Sequence, residues 1–246
     1  MSEWDFAGSI EIGATGRQAR LVQEWLSLQG FKVSVDGQFG PATEVAVRAF
    51  QKARGLQTGG VVNGTTFAAL VAPMVAALAP INPGSRSLGA LTLAYARQHL
   101  AQSPREVGGE NMGPWVRLYM KGNEGAEWAW CAGFVGYVLR QAAKALGVSA
   151  PLPYTFSCDS LAAAAKDAGM FLDGRSGVSP GQLSPGSLFL VRRTPLDWVH
   201  TGLVLSISPT AFGTIEGNTN DSGDREGYEV CRRTRGYDGK DFVVIA

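Results

Sequence analysis

The order of helical and strand patterns along the chain is the feature that most restricts its fold. Up to the segment SCDSLAAAAKDAGMF (157–171), apolar residues recur at helical spacing, and beyond it they alternate with polar residues. Five neighbouring segments show this alternation, namely SLFLV, HTGLVLSIS, FGTIEG, YEVCRR and DFVVIA. Helices followed by a run of neighbouring strands predict an α+β fold in which helices pack on an antiparallel sheet.

A stretch rich in proline, glycine and serine divides the chain into two parts. The segment APINPGSRS, residues 79–87, is typical of a linker between packed units. It predicts one domain over residues 1–78 and another over residues 88–246. The chain of 246 residues is long enough for two domains that each bury a core.

The first part carries three helical patterns, which predict a small three-helix bundle. They lie in QARLVQEWLSLQG, GPATEVAVRAFQKARG and NGTTFAALV. We expect Gly30 to end the first helix, Val45 and Phe50 to face inward on the second, and Asn63 to cap the third.

Net charge and hydropathy exclude several classes of partner. The formal net charge is +1, so there is no bulk electrostatic reason to bind nucleic acid or a membrane surface. The start, MSEWDFAGSIEIGATG, lacks the basic and apolar regions of a secretory signal peptide. The longest apolar run contains Pro73 and is shorter than the roughly 20 residues that span a bilayer. We therefore expect a monomer synthesised in the cytoplasm.

The cysteines and histidines are too few and too scattered for a typical metal site. The chain has Cys131, Cys158 and Cys231, without a CxxC pair, and only His99 and His200. We therefore expect neither a metal nor a cofactor. His99 falls at the polar end of a predicted helix, so we expect it to be solvated. Cys158 and Cys231 are expected to be packing residues, and a disulfide between them stays open.

The turn between the first two helices carries a recognisable pattern. The segment VQEWLSLQGF, followed by VDGQFGPATEVAVRAFQKARGL, resembles the peptidoglycan-binding domain of bacterial and phage wall hydrolases. The likeness covers about residues 15–72 and is strongest at residues 36–40. It departs from the family at Phe67, where tryptophan is common. The resemblance implies peptidoglycan, through its glycan or stem peptide, as the ligand.

Cys131 lies where a loop gives way to a helix. Glycines and charged residues precede Trp128, and CAGFVGYVLRQAAKALG then repeats apolar residues at helical spacing. A thiol in the first turn of a helix has a lowered pKa, because the unpaired N–H groups and the helix dipole favour an anion. Cys131 is therefore a candidate nucleophile.

A histidine and two possible orienting groups follow on predicted strands. His200 opens one strand, and Glu216 and Asn218 lie two residues apart on the next, so both are expected to point to the same face. A histidine at a strand end that faces a cysteine at a helix start is the papain-like arrangement.

The motifs WCAGFV, HTGLV and IEGN, in that order, resemble the CHAP family of cysteine- and histidine-dependent amidohydrolases and peptidases. The likeness implies a papain-like domain with Cys131 as the nucleophile and His200 as general base and then general acid. Glu216 would orient the imidazole, with Asn218 supporting it or taking over that role. The chain would then be a peptidoglycan hydrolase, by preference an N-acetylmuramoyl-L-alanine amidase, with a stem-peptide endopeptidase and a non-catalytic wall-binding protein as alternatives.

Aromatic and amide side chains near these motifs are candidate substrate contacts. We expect Trp128, Trp130 and Trp198 to flank the site and Asn111 to border the groove. Some CHAP enzymes carry an acidic calcium loop before the cysteine, but MKGNEGAEWAW has no Asp-x-Asp cluster, so no calcium requirement is expected. A phage endolysin released through a holin and a secreted effector with an immunity protein both fit the sequence. In either case the protein would act on the wall or in the periplasm.

Overall fold

Seven α-helices and a six-stranded sheet make up the computed structural model, which describes residues 3–6, 8–220 and 227–245. The helices are α1 (Arg17–Leu28), α2 (Pro41–Ala53), α3 (Gly64–Leu78), α4 (Leu88–Leu100), α5 (Pro114–Tyr119), α6 (Cys131–Leu146) and α7 (Cys158–Asp167). The strands are β1 (Phe171–Leu172), β2 (Leu188–Thr194), β3 (Asp197–Ile207), β4 (Ala211–Thr219), β5 (Glu229–Gly236) and β6 (Lys240–Val243). All strand pairs are antiparallel, so the predicted α+β class is confirmed.

The three N-terminal helices form where their sequence patterns predict them. Asn63 caps α3, because its side-chain oxygen accepts a hydrogen bond from the backbone N–H of Thr66 at 2.9 Å. The helix continues through Pro73 to Leu78. On α2 the inward face differs from the prediction, since Val45 is 66% exposed whereas Val47 is fully buried beside Phe50.

Gln23 on α1 holds the glycine-rich turn that precedes α2. Its side-chain amide donates to Asp36 Oδ1 at 2.8 Å and to Thr43 Oγ1 at 3.1 Å. Its side-chain oxygen accepts from the backbone N–H of Gly37 at 2.8 Å, and Gly37 has a φ of 72° that favours glycine. The buried amide therefore uses both its donor and its acceptor to hold the turn in place.

The two parts of the chain pack directly against each other. Trp25 on α1 meets Trp115 on α5 edge to face, with ring centroids 6.0 Å apart. Beside them Arg117 binds three carboxylates at 2.6 Å each, those of Glu3, Glu24 and Glu124. Burial opposes the charge of Arg117, but its hydrogen bonds to Glu24 and Glu3 raise the pKa of the guanidinium. Residues 79–87 thus connect two units that share a buried interface.

The sheet brings β3 and β4 under the start of α6. The strand order is β1-β6-β2-β3-β4-β5, which leaves β3 and β4 beside each other near one edge. Gly217 on β4 lies so close to α6 that a Cβ atom there would stand 2.8 Å from Phe134 Cβ. Glycine at this position therefore lets β4 approach the first turn of the helix.

His99 is buried, so the expectation that it is solvated is wrong. Its Nδ1 pairs with the Tyr119 hydroxyl at 2.9 Å and its Nε2 with Gln141 Oε1 at 2.8 Å. Burial lowers the pKa of His99 to about 4, although the Gln141 hydrogen bond opposes this shift. The end of α4 looks polar in sequence, but Tyr119 of α5 and Gln141 of α6 pack against His99 and cover it. Across the described ranges, no helix combines the length and apolar character needed to cross a bilayer.

Candidate active site

Cys131 is the first residue of α6, as predicted. The residue before it, Trp130, provides no side-chain cap, so the backbone N–H groups of the first turn point toward the thiol region without intrahelical acceptors. The cysteine is 5% exposed. These N–H groups and the dipole of a 16-residue helix favour a negative charge on the sulfur.

His200 lies against this thiol and is oriented by Glu216. Its Nε2 pairs with Glu216 Oε2 at 2.8 Å, and both side chains are buried. The other ring nitrogen, Nδ1, is buried and makes no conventional hydrogen bond with the described residues. Nδ1 is therefore the atom available to the Cys131 thiol, with which His200 interacts.

The thiol and the imidazole stabilise opposite charges on each other. The pKa of Cys131 is lowered well below its usual value, first by the hydrogen bond from Cys158 and then by His200, against the effect of burial. Burial alone would lower the pKa of His200, but its interactions with the Cys131 sulfur and the Glu216 carboxylate raise it to about 9. The arrangement therefore favours a thiolate–imidazolium pair at neutral pH.

Arg235 on β5 fixes Glu216 and was not predicted from the sequence. Its Nε and Nη2 donate to the two carboxylate oxygens at 2.6 and 2.5 Å, and Thr214 Oγ1 donates to Oε1 at 2.5 Å. Burial would raise the pKa of Glu216, but Arg235 and His200 lower it to about 2. The segment CRRTRG shows several arginines in a strand. The β4–β5 register places Arg235 opposite Phe212, and only the side-chain contacts of the folded structure show that it reaches Glu216.

Asn218 is close in sequence to this group but does not contact His200. It is buried, has a φ of 54°, and its Oδ1 has no hydrogen-bond partner among the residues the structure describes. A register shift between Glu216 and Thr219 interrupts the regular alternation of β4. The regular alternation on which the shared face of Glu216 and Asn218 was predicted is therefore interrupted, and the described carboxylate that pairs with the His200 ring is that of Glu216.

Cys158 lies beside Cys131, which the sequence did not predict. The two Sγ atoms are 3.8 Å apart, and Cys158 is the first residue of α7. The start of α7 is tied to β3 because Asp159 Oδ1 accepts from the backbone N–H of Trp198 at 2.6 Å. Cys231 instead lies opposite Glu216 in the β4–β5 pair. The thiol neighbour of Cys158 is thus Cys131.

Three of the four expected substrate contacts are buried, so those expectations are corrected. Trp130 is fully buried and donates to Glu106 Oε1 at 2.8 Å. Trp198 donates to Asp241 Oδ2 at 2.7 Å, and Asn111 is 1% exposed with its amide directed at Ala126 O. Their polar groups are satisfied inside the protein, so these residues support the site without lining its surface.

Trp128 remains the one predicted aromatic with an accessible side chain. It is half-buried and meets Phe156 edge to face, with ring centroids 5.8 Å apart. A separate cavity of about 710 Å³ lies along the far end of α6, between Arg140, Lys144 and Tyr154. Cys131 is not among the residues that line this cavity.

Glu124, an acidic residue of the segment MKGNEGAEWAW that precedes the cysteine, is already engaged in ion pairs. Glu124 binds Arg20 at 2.8 Å and Arg117, and it accepts from the backbone N–H of Gly113 at 3.0 Å. Within the part of the chain that the structure describes, no group of three or more His, Cys, Asp or Glu residues is placed to hold a metal ion.

Comparison with known proteins identifies the N-terminal part. A family model for a peptidoglycan binding domain matches residues 15–70. The zinc D-Ala-D-Ala carboxypeptidase of Streptomyces albus G is 35% identical over 69 residues, which are 26% of each chain. The chain therefore spans about a quarter of the length of this curated relative. The predicted N-terminal peptidoglycan-binding domain is confirmed by these matches.

Two solved structures are similar to the same share of the chain. The N-terminal domain of SleB is 36% identical, covers 28% of this chain and 96% of its own, and gives a TM-score of 0.27. A peptidoglycan-binding protein from Clostridioides difficile, solved with glutamine hydroxamate, is 33% identical, covers 28% of this chain and 42% of its own, and gives a TM-score of 0.26.

Proposed function

We propose that residues 88–246 form a papain-like domain of the CHAP type that hydrolyses an amide bond of peptidoglycan. One observation carries this proposal, namely the Cys131 thiol at a helix start beside His200, whose imidazole Glu216 orients at 2.8 Å. A nucleophile, a base and an orienting carboxylate in this order are the parts that cysteine acyl transfer requires. The confirmed peptidoglycan-binding domain supports the wall as the substrate.

In the proposed reaction the Cys131 thiolate adds to the amide carbonyl carbon. The developing oxyanion would be stabilised by the backbone N–H of Cys131 and the helix dipole. The His200 imidazolium then protonates the leaving amine, the C–N bond breaks, and a thioester forms on Cys131. Water attacks this thioester while His200 accepts its proton, and the thiolate leaves.

Side chains around this group have supporting roles in the proposal. Glu216 holds the imidazole and balances its positive charge, and Arg235 with Thr214 keeps Glu216 ionised and fixed. Asn218, whose buried Oδ1 has no hydrogen-bond partner among the described residues, would support the His200 imidazole. Trp128 would contact the substrate beside the thiol.

Because the two domains pack together, binding of the first domain to the wall would fix the orientation of the second. Trp25 and Arg117 join the binding bundle to α5, which lies against the catalytic helix α6. Binding of the first domain would therefore present the thiol to the polymer at high local concentration, without a freely moving tether.

Mass spectrometry of a peptidoglycan digest tests the proposal and identifies the bond. An N-acetylmuramoyl-L-alanine amidase, which we favour, would release stem peptides with a free L-alanine amino group. Cuts within stems that remain joined to muramic acid would instead assign a stem-peptide endopeptidase. Wall binding without any new peptide end would contradict catalysis and support a non-catalytic wall-binding protein.

Delivery to the wall is a further part of the proposal. Release through a holin and injection by a secretion system would both bring the protein to peptidoglycan. A neighbouring holin gene would support the first route, and a neighbouring immunity gene would support the second.

The proposed ion pair predicts a specific pH dependence of wall hydrolysis. The reaction needs the Cys131 thiolate together with protonated His200, whose pKa is raised to about 9. We expect activity to be constant through neutral pH and to fall above about pH 9, when the imidazolium loses its proton. Initial rates of turbidity loss across pH measure this profile. A rate that rises through about pH 8.5, as for an ordinary thiol, would contradict the ion pair.

The bidentate contact from Arg235 predicts that this residue positions the catalytic group. In Arg235→Met, Glu216 loses both guanidinium hydrogen bonds, so its pKa rises and its hold on His200 weakens. We expect the rate of wall hydrolysis to fall about 10- to 100-fold, and the alkaline limb of the pH profile to move to lower pH. Arg235→Lys should restore part of the rate, because lysine keeps the positive charge but cannot make both guanidinium hydrogen bonds.

Arg232→Met is the matched control for this substitution. Arg232 lies on the same strand, and its side chain is exposed. Its replacement should leave the rate and the pH profile unchanged. Equal losses in the Arg232 and Arg235 variants would show a general effect on β5 and would contradict the positioning role.

A further inference from the structure

Two cysteines from separate helices meet beside the proposed catalytic group. Cys131 begins α6 and Cys158 begins α7, and their Sγ atoms are 3.8 Å apart. Both residues carry thiols rather than a disulfide bond. The mechanism above uses only one of these thiols, so the second requires its own explanation.

We propose that Cys131 and Cys158 form a peroxide-sensitive pair, in which oxidation of Cys131 is followed by a disulfide to Cys158 that reversibly blocks the nucleophile. This inference adds regulation to the proposed catalytic site, and it rests on that proposal only for the loss of hydrolysis. The disulfide itself can be detected without any wall substrate.

The surroundings of Cys131 favour its reactive thiolate form. Cys131 lies in the first turn of α6, where the helix dipole stabilises an anion, and the hydrogen bond from Cys158 lowers the pKa of Cys131 further. His200 also interacts with Cys131 and adds a positive charge beside it. Cys131 is the cysteine with the additional cationic neighbour, and we therefore assign it the first reaction with peroxide.

Both cysteines are nearly buried, so a small oxidant is the suitable probe of the pair. Cys131 is 5% exposed and Cys158 is 7% exposed. Hydrogen peroxide is small enough to approach sulfur atoms in such surroundings.

The distance between the sulfur atoms permits ring closure with small movement. A disulfide is about 2 Å long, so the two Sγ atoms must approach by roughly the same distance. Rotation of the two side chains at the helix starts provides most of this movement. The start of α7 is held to β3 by Asp159 and the N–H of Trp198, so Cys158 stays near its partner.

The chemistry balances with hydrogen peroxide as the oxidant. The Cys131 thiolate attacks one peroxide oxygen, the O–O bond breaks, and the hydroxide that leaves takes a proton to give water. Cys131 is now a sulfenic acid. The Cys158 sulfur attacks it, the S–S bond forms, the S–O bond breaks, and the hydroxide leaves with the thiol proton as a second water. Two thiols and one peroxide thus give one disulfide and two waters.

Oxidation of the full-length protein with hydrogen peroxide tests the pair. Remaining thiols are alkylated before digestion, and peptides are mapped by mass spectrometry without reduction. We expect a cross-linked peptide that joins Cys131 to Cys158, an intact mass lower by two hydrogens, and reversal of both by dithiothreitol. Wall hydrolysis should fall to background on oxidation and return after reduction.

Two serine variants separate the pair from general thiol oxidation. Cys231→Ser should still form the cross-link, because Cys231 lies on β5 opposite Glu216. Cys158→Ser should form none, and its Cys131 should proceed to sulfinic acid, which dithiothreitol does not reduce. Cys158→Ala should behave in the same way if serine disturbs the helix start.

The outcomes distinguish this inference from the proposed function. A cross-link in a protein that never cleaves peptidoglycan would uphold the thiol pair and contradict the enzyme. Hydrolysis that peroxide destroys without any Cys131–Cys158 cross-link, or a cross-link to Cys231, would overturn the pair and leave the enzyme standing.

Discussion

Cys131→Ala is expected to abolish peptidoglycan hydrolysis while leaving wall binding intact. The substitution removes the sulfur that attacks the carbonyl, and neither His200 nor the helix N–H groups can replace a nucleophile. Loss of a nucleophile that acts together with its base lowers turnover by at least about 1,000-fold, so only background turbidity loss should remain. The small side chain fits the nearly buried position, so the protein should fold. Soluble-product release from purified peptidoglycan measures the effect.

Two controls make this result specific. Sedimentation with insoluble peptidoglycan should be the same for wild type and Cys131→Ala, because residues 15–70 are unchanged. A chelator should not reduce wild-type hydrolysis, since Glu124 is bound by two arginines. Equal hydrolysis by wild type and Cys131→Ala would show that Cys131 is a packing residue. Loss of activity in the chelator would show that the reaction needs a metal.

Arg117→Met is expected to cause the largest loss of stability of any single charge substitution considered. It removes the cation that the carboxylates of Glu3, Glu24 and Glu124 share, and leaves them with Arg17 and Arg20 as partners. The Arg117 side chain is 11% exposed and that of Glu24 is 1% exposed, so solvent does not screen them well. Removal of one partner from a buried ionic group costs about 3–5 kcal/mol, and because two arginines stay we expect the lower end of this range, which lowers Tm by about 10 °C. Thermal unfolding followed by circular dichroism measures the change.

Arg48→Met provides the matched control for this prediction. Arg48 pairs with Glu44 one helical turn away, and 45% of its side chain is exposed. Exposed pairs of this kind contribute about 0–1 kcal/mol, so its Tm should stay within a few degrees of wild type. Comparable losses in both variants would contradict a special role for Arg117 at the domain junction.

The sequence predicts those features of the site that depend on local patterns. The change from glycine-rich loop to apolar periodicity places Cys131 at a helix start, and the structure begins α6 at that residue. Period-two alternation places His200 and Glu216 on neighbouring strands, and antiparallel pairing of β3 with β4 brings them to 2.8 Å. Caps follow the same rule, since Asn63 needs only the N–H of Thr66 three residues later.

An irregular backbone limits the prediction of side-chain direction, even within one strand. Regular alternation predicts that Asn218 points with Glu216, but a register shift and a positive φ at Asn218 break the rule. Burial was equally hard to read, because Trp130 and His99 are covered by helices that are distant in sequence.

The sequence by itself determined the order of helices and strands, the turn pattern of the peptidoglycan-binding domain and the identity of the candidate nucleophile, base and orienting carboxylate. Only the tertiary structure decided that Cys158 adjoins Cys131, that Arg235 clamps Glu216 and that Arg117 joins the two domains. Helix and strand propensity act over a few residues and leave a periodic record in the sequence. Contacts between distant segments depend instead on how the finished elements pack, and a cysteine or arginine looks the same in sequence whichever neighbour it meets.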